Sequence, residues 1–348
     1  MVITGAKIYW LIQYTSQIAK LLTELQDHIN TRARLGKGHH YFIADRLGNT
    51  FTKLFGLMVF IASVMYFFNP MLQILVQHLT KPGEPFIYKL PYHFELGVDS
   101  SISPNYQIIY MSSFLSLQPI LNSMVAANCL FFCFSLLIAA CFKDLQDMVL
   151  SIGENILMVD DPLLVKDDKA SLIVAADAKP EDEKIFYQLM GECVEFHSKI
   201  LRWIDEATSY ISGIIAFEFA GCIFSFCTQA FQATINITSP EFLNSVVFFI
   251  AEGMELFLFA AFGERITTES AAVAEAVYIA NWWRFPPKHR KYFQLMILRA
   301  QKPCYVRALN WLNCSLESYM NVLKASFSMM ALLQNINEKG GFGVEQES

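Results

Sequence analysis

The sequence predicts an all-α membrane protein, and three observations predict it. Of its 348 residues, 54% are hydrophobic and only 17% are charged, more apolar surface than a soluble chain of this length needs. The apolar residues gather into long runs, and a helical span requires about 20 of them in succession. The lysines and arginines are concentrated in alternate connections between those runs, as expected of a chain that crosses a bilayer repeatedly.

The chain opens on "AKIYWLIQYTSQIAKLLTELQDHI", where Ile8, Leu11, Ile12, Ile18, Leu21, Leu22 and Leu25 recur at near-helical spacing. An amphipathic helix is expected there, in a cytoplasmic segment covering residues 1–53. "MVITGAKIYW" has neither the apolar core nor the small-residue cleavage site of a secretory signal. The first span is Leu54 to Val76, which carries no charge. The second lies between Asp99 and Lys143, again uncharged, and includes "LNSMVAANCLFFCFSLLIAACF". An acidic cytoplasmic connection follows at about 143–206. Its stretch "VDDPLLVKDDKASLIVAADAKPEDEK" reads as a loop, and "IFYQLMGECVEFHSKILRWI" as an amphipathic helix leading back to the membrane. Spans three and four are Ala207 to Thr234 and Phe242 to Ala261, each with isolated carboxylates.

Beyond span four the apolar helix runs into "FGERITTESAAVAEAVYIANWW" with only Gly263 as a turn residue between them. A membrane helix is therefore expected to continue into water. The last span, Ser318 to Asn337, is too polar to be surrounded by lipid: Asn321, Lys324 and Ser326 need water or protein, whereas Leu323, Met330 and Leu333 can face neighbours. Several copies of such a helix around one axis could enclose a pore, which hints at an oligomeric channel.

Orientation follows from the basic residues. Of the 26, seven precede span one, seven lie between spans two and three, and eight lie between span four and the last span. Lys81 and Lys89 alone separate spans one and two, and "INITSPE" has none. The N-terminus is placed in the cytoplasm and, with five spans, the C-terminus outside. None of the eight cysteines falls in an outside loop, so no disulfide framework is implied. Asn236, in "NITS", is an N-glycosylation acceptor in an outside loop, while Asn313, in "NCS", fits the pattern on the cytoplasmic side.

Catalytic signatures are lacking: there is no phosphate-binding lysine loop, zinc-type His–Glu pair, nucleophile elbow or glycine fingerprint. No enzyme activity, cofactor or metal is expected. His39 and His40 are adjacent and point to different faces, and His197 suits an interhelical hydrogen bond. Glu218, Glu252 and Glu255 stand out, because an ionisable group inside a span marks an ion path or a buried pair. Glu252 and Glu255 share a helix face. The competing reading of Glu255 puts it at or beyond the membrane interface, on the continuing helix.

Taken in order, these fragments resemble the insect odorant receptor family. "FGERITTESAAVAEAVYIANWW" is similar to that family's Phe/Tyr-Gly-x-x-Ile/Leu, Glu-Ser, Ala-x-Tyr and Trp series. "QKP" at 301–303 and "SLESYMNVLKASFSMMALL" resemble its final cytoplasmic helix and last span, and "ECVEFHSKIL" resembles the segment before the fifth. The resemblance implies a seven-span helical bundle of which five spans, the third to the seventh, are present here, the first two being absent. It implies a ligand-tuned subunit of an odorant-gated, non-selective cation channel in the plasma membrane of a sensory neuron. Its partners would be an odorant co-receptor in a heterotetramer, a volatile small molecule and lipid, with no nucleic acid.

The same resemblance implies the sites. Residues 263–310 would form cytoplasmic anchor helices in which Gly263, Ser270, Ala274, Tyr278 and Trp282 pack, with Ala271, Ala272 and Ala276 allowing close approach. An odorant pocket would draw on Tyr66, Phe67 and Phe68, on Phe114 and Gln118, and on Phe248 and Phe249. The last span, within 311–337, would line the pore with Ser328, Leu332 and Asn335, Gln334 beside them and Leu332 as the apolar gate, before an extracellular tail at 338–348. Glu264 after the glycine, Phe327 in place of tyrosine and a long tail depart from the family pattern. A gustatory receptor is an alternative, although "ASFSMMALLQN" lacks that family's Thr-Tyr start and Gln-Phe end. An inactive truncated receptor is another. A membrane enzyme or transporter would need converging polar residues or repeated span pairs, and neither is visible.

Overall fold

The computed structural model describes residues 2–80, 104–155, 158–159, 173–174, 180–235, 240–309 and 311–340. Seven helices account for most of them: α1 Val2–Arg34, α2 His39–Thr80, α3 Asn105–Asn155, α4 Pro180–Ile235, α5 Pro240–Ile279, α6 Pro287–Ala300 and α7 Leu316–Gly340. Helices α2 to α5 each contain a stretch long and apolar enough to cross a membrane. Among the described residues α7 is not in that set, for its serines, asparagines and Lys324 lower its hydropathy. The expected fifth span is thus a helix in the expected place without the apolarity of the other four.

Helix α3 is the centre of the bundle, with 72% of its apolar window buried, and α2 is peripheral at 18%. Residue pairs give the directions. Asn128, Phe132, Lys143 and Gly153 of α3 meet Glu255, Phe262, Glu269 and Ala280 in the same order, so α3 and α5 are parallel. Helix α4 is antiparallel to α1, pairing Lys7 with Glu218, Trp10 with Tyr210 and Glu24 with Arg202. The buried side of α1 is Ile18, Leu21, Leu25, Ile29 and Arg32, a helical stripe laid against α3 and α4. Its first turns pack on apolar stretches of α4 and α5.

Helix α5 passes from its apolar half into its alanine-rich half without a break, as the sequence suggests. Gly263 is not a turn. A Cβ there would stand 2.2 Å from the Cys314 carbonyl oxygen, so the residue is small because the chain entering α7 crosses α5 against its backbone. Asn281, in the left-handed conformation (φ 53°), ends the run. A 3-10 turn at Trp282–Arg284 and Pro286–Pro287 then start α6 in a new direction. Two short ladders complete the described structure: β1 Met158–Val159 with β2 Ile173–Val174, parallel, and β3 Arg307–Ala308 with β4 Leu312–Asn313, antiparallel. Residues 156–157, 160–172 and 175–179 of the acidic connection, Asn236 and the tail beyond residue 340 lie outside the described residues.

A close approach of α3 to the end of α5 is also made by a glycine. A Cβ on Gly153 would stand 2.3 Å from the Ala280 carbonyl oxygen, whereas one on Gly56 would meet nothing within 4 Å. Gly153→Ala must therefore separate two backbones and is expected to cost about 3 kcal/mol, at the upper end for overpacking. Gly56→Ala is expected to be neutral or slightly stabilising. Thermal midpoints of the detergent-solubilised variants read the difference, and equal midpoints would mean the seam is looser than described.

Candidate functional site

Three regions hold the residues singled out in the sequence. The first is the C-terminal end of α5 with the segment that folds back on it. Ser270 accepts a hydrogen bond from the Cys304 backbone N–H at 2.9 Å and donates to the Thr267 carbonyl at 2.9 Å. Thr267 Oγ1 donates to the Cys304 carbonyl at 3.0 Å, and the Leu316 N–H donates to Glu264 at 3.3 Å. These bonds hold residues 303–316 to α5 where Gly263 leaves room. Ala274 and Trp282 are half-buried, while Tyr278 is exposed and lies 5.6 Å from the Trp283 ring. Ala276 is buried and Ala271 exposed, and the alanine that makes backbone contact is Ala280.

The second region comprises the aromatic residues expected in a pocket, and the structure divides them between two seams. Phe67 is buried between α2 and α3, edge-on to Phe114 at 4.9 Å, and its carbonyl accepts the Tyr110 hydroxyl. Gln118 is half-buried one turn further along α3. Phe68 points away, 62% exposed, on the same side of α2 as Leu72 and Leu75. Phe248 is half-buried on α5, and Phe249 packs on Phe226 of α4 at 5.0 Å and Phe327 of α7 at 6.1 Å. The Tyr66 side chain is not among those described. Phe67 and Phe114 are thus together; Phe249 belongs to the seam that connects α4, α5 and α7.

The third region is α7. Ser318, Val322 and Ser326 turn into the bundle, and the Ser326 hydroxyl bonds the Val322 carbonyl at 2.8 Å. The opposite face is open. Ser328, Leu332 and Asn335 all lie on it, with Leu332 58% exposed, and Gln334 sits half-buried at its edge. Leu332 therefore does not pack into its own bundle. Met329 is also exposed, at 48%, although it follows Ser326 and Val322 at helical spacing, so exposure alone does not choose Leu332 over Met329 as the pore-lining residue.

Buried polar contacts join the helices around these regions. Toward the C-terminal half of α3, Arg32 of α1 donates twice to Asp144 of α3, at 2.6 and 2.5 Å, and Tyr41 of α2 donates to the same carboxylate at 2.9 Å. His40 approaches Asp147 at 2.7 Å and His39 lies edge-on to His40. His197 is buried beside Phe142, an aromatic contact where an interhelical hydrogen bond was expected. Glu255 is buried and Glu218 with it, in contact with Lys7. Lys7, Asn128 and Gly153 were not singled out in the sequence. The unpaired carboxylates required a cation, but nothing local identified which one.

The comparisons with known proteins follow this geometry. The 7tm odorant receptor family model matches residues 1–327. The chain is 26% identical over 149 residues to putative odorant receptor 85d of Drosophila melanogaster, a match covering 43% of this chain and 36% of that protein. It is 27% identical to odorant receptor 2a of the same species, over 42% of this chain and 38% of the relative. With odorant receptor Or2 of Anopheles gambiae it shares 24%, over 42% and 39%. These matches thus span less than half the length of those relatives. In three dimensions the chain is similar to the insect olfactory receptor OR5 from Machilis hrabei, with a TM-score of 0.65, 14% identity, and 96% of this chain and 80% of that one covered. The same receptor in complex with eugenol gives a TM-score of 0.62 at 15% identity, over 86% and 70%.

Helix α6 also carries a pH prediction. His289 of α6 is fully buried, edge-on to Phe186 at 4.6 Å, with no hydrogen-bond partner on either ring nitrogen among the described residues. Burial, then the neighbouring Lys288, push its pKa below the ordinary value; burial, then Arg32, do the same for His28. The unfolded chain binds these protons more readily, so stability rises with pH and is lost as pH falls through about 6.5. The thermal midpoint is expected to be lower at pH 5 than at pH 7.5. His289→Phe should reduce the difference, and an unchanged difference would assign the pH dependence to other groups.

Proposed function

The chain belongs to the 7tm odorant receptor family, and from that membership we propose that it is a ligand-tuned odorant receptor subunit of a ligand-gated, non-selective cation channel. The observation that carries the channel reading is the open face of α7. A helix of 25 residues that buries Ser318, Val322 and Ser326 against its own chain and leaves Ser328, Leu332 and Asn335 uncovered needs something else on that side. Four such helices around an axis would present polar rings with one leucine ring among them. A leucine ring closes a pore by excluding water, and the polar rings beside it hold water and ions. The family is one of receptors, not of enzymes, and the relatives reported above are odorant receptors, which favours this reading over the gustatory one.

In this reading a volatile molecule enters an apolar pocket in the outer half of the bundle and shifts the gate by binding the open state more tightly. Phe67 and Phe114 on the α2–α3 seam, and Phe249 on the seam that reaches α7, are the aromatic residues proposed to sense it. Phe249 is the best placed to transmit the change, because its ring touches both Phe226 and Phe327. A co-receptor subunit is the proposed partner, and the exposed Tyr278 and Trp283 at the end of α5 support a subunit contact there. The protein is a multi-pass membrane protein; the plasma membrane, with a cytoplasmic N-terminus, is its proposed location.

Two experiments test this. In cells that also express an odorant co-receptor, Leu332→Ser is expected to raise the ligand-free current several-fold, while Met329→Ser leaves it unchanged. Unchanged current and ion selectivity in Leu332→Ser would mean that the pore stripe is another one. For the orientation, translation into microsomes is expected to add glycan at Asn236 and not at Asn313, as scored with each asparagine changed to glutamine. Glycan on Asn313 would reverse the topology.

A further inference from the structure

The apolar stretches of α4 and α5 contain three carboxylates, and the structure brings a cation to them from the other end of the sequence. Lys7, on the second turn of α1, is 5% exposed. Its Nζ pairs with Glu218 of α4 and lies 3.9 Å from Oε1 of Glu255 on α5. Asn128 of α3, fully buried, donates its Nδ2 to that same Glu255 oxygen at 2.5 Å. The Cys222 thiol, one turn beyond Glu218, approaches the other Glu218 oxygen at 3.7 Å. Glu252, one turn before Glu255, is half-buried. Four helices therefore meet at a single polar point.

That point is deep. Glu218 stands about 16 Å along α4 from Ala207, where the apolar stretch begins, or about half the thickness of a bilayer's hydrocarbon core. At such a depth a carboxylate without a counter-charge is costly, and pairing offsets the cost only where the geometry is good. The neighbouring contacts hold Lys7 in that geometry. Trp10, one turn on, donates its indole N–H to the Tyr210 carbonyl at 2.7 Å. Its ring covers Gly213, where a Cβ would come within 2.6 Å of ring carbon. Glu24 and Arg202 pair farther along the same contact. A one-turn slip of α1 would break all of these together and leave Glu218 and Glu255 facing apolar side chains.

We propose that Lys7 is a positioning residue whose ammonium seats α1 against α4 and α5 and fixes the register of those two helices. Helix α7 packs on both, so the pair also sets where the pore helix stands; this last link rests on the channel reading above, and the first does not. The carboxylates face a fixed ammonium group of their own chain, which makes them a helix lock and not a path for permeant ions.

The test uses the whole chain, solubilised for thermal unfolding and expressed with a co-receptor for current recordings. Lys7→Met leaves two carboxylates without a cation and is expected to lower the thermal midpoint by roughly 10 °C. Lys7→Arg should restore most of the loss. The neutral triple variant Lys7→Met, Glu218→Gln, Glu255→Gln should recover more than half, because the charges leave together. A Lys7→Met midpoint equal to the parent's, or a triple variant as unstable as Lys7→Met, would overturn the lock. In the recordings the stable triple variant is expected to change ligand-free current at least about threefold, since α4 and α5 are no longer clamped. A parent-like current would overturn the positioning role. Should the parent itself carry no current, the channel reading fails, and the midpoints still decide the lock.

Discussion

Helices α3 and α5 run side by side from Asn128 and Glu255 at one end to Gly153 and Ala280 at the other, and the character of their contact changes with depth. It begins as a buried hydrogen bond and becomes an aromatic stack of Phe131 and Phe132 on Phe259 and Phe262. It then passes through Lys143 and Gln146 at Glu269 and ends as backbone against backbone. Such a seam makes one rigid rail out of two helices that would otherwise stop at the edge of the apolar layer. The other elements are referred to it: α2 covers α3, α4 covers the groove between them, and α6 with the returning chain is bonded to α5.

The rail explains why a greasy helix continues into an alanine-rich one. An amphipathic surface helix needs one apolar face, but α5 beyond Gly263 has neighbours on several sides. Ile266, Val273 and Val277 are fully buried, and Ser270 and Thr267 hold the returning chain. Small side chains allow that crowding. The side chains left exposed, Tyr278, Ile279 and Trp283, gather at the end of α5. In the proposed receptor a subunit contact there would be continuous with the membrane part through a single helix, so a change in the outer half has a stiff route inward.

Polar groups inside the bundle follow one rule at two depths. Arg32, Asp144 and Tyr41 bring α1, α3 and α2 together with paired donors and acceptors. Lys7, Glu218, Glu255 and Asn128 do the same for α1, α4, α5 and α3. Buried ion pairs add little net stability compared with good apolar packing, yet removing one partner is strongly destabilising. Their effect is selective: a slipped or rotated α1 leaves charge unpaired, whereas a slipped apolar stripe only exchanges one leucine for another.

The sequence by itself determined the helices, the four apolar stretches, the unbroken run through Gly263 and the family. All of these depend on residues close together in the chain, where periodicity and hydropathy are visible. It also showed that Glu218, Glu252 and Glu255 required an explanation. Which cation answers them, what lies over Gly263 and Gly153, and which aromatic rings share a seam were decided only in three dimensions. Lys7 and Glu218 are more than 200 residues apart, Gly263 meets Cys314, and Phe249 meets Phe226 and Phe327. Many lysines could satisfy a carboxylate and many side chains could cover a glycine. Choosing among them takes the relative positions of whole helices, which depend on all their contacts at once and leave no mark in any one stretch of the chain.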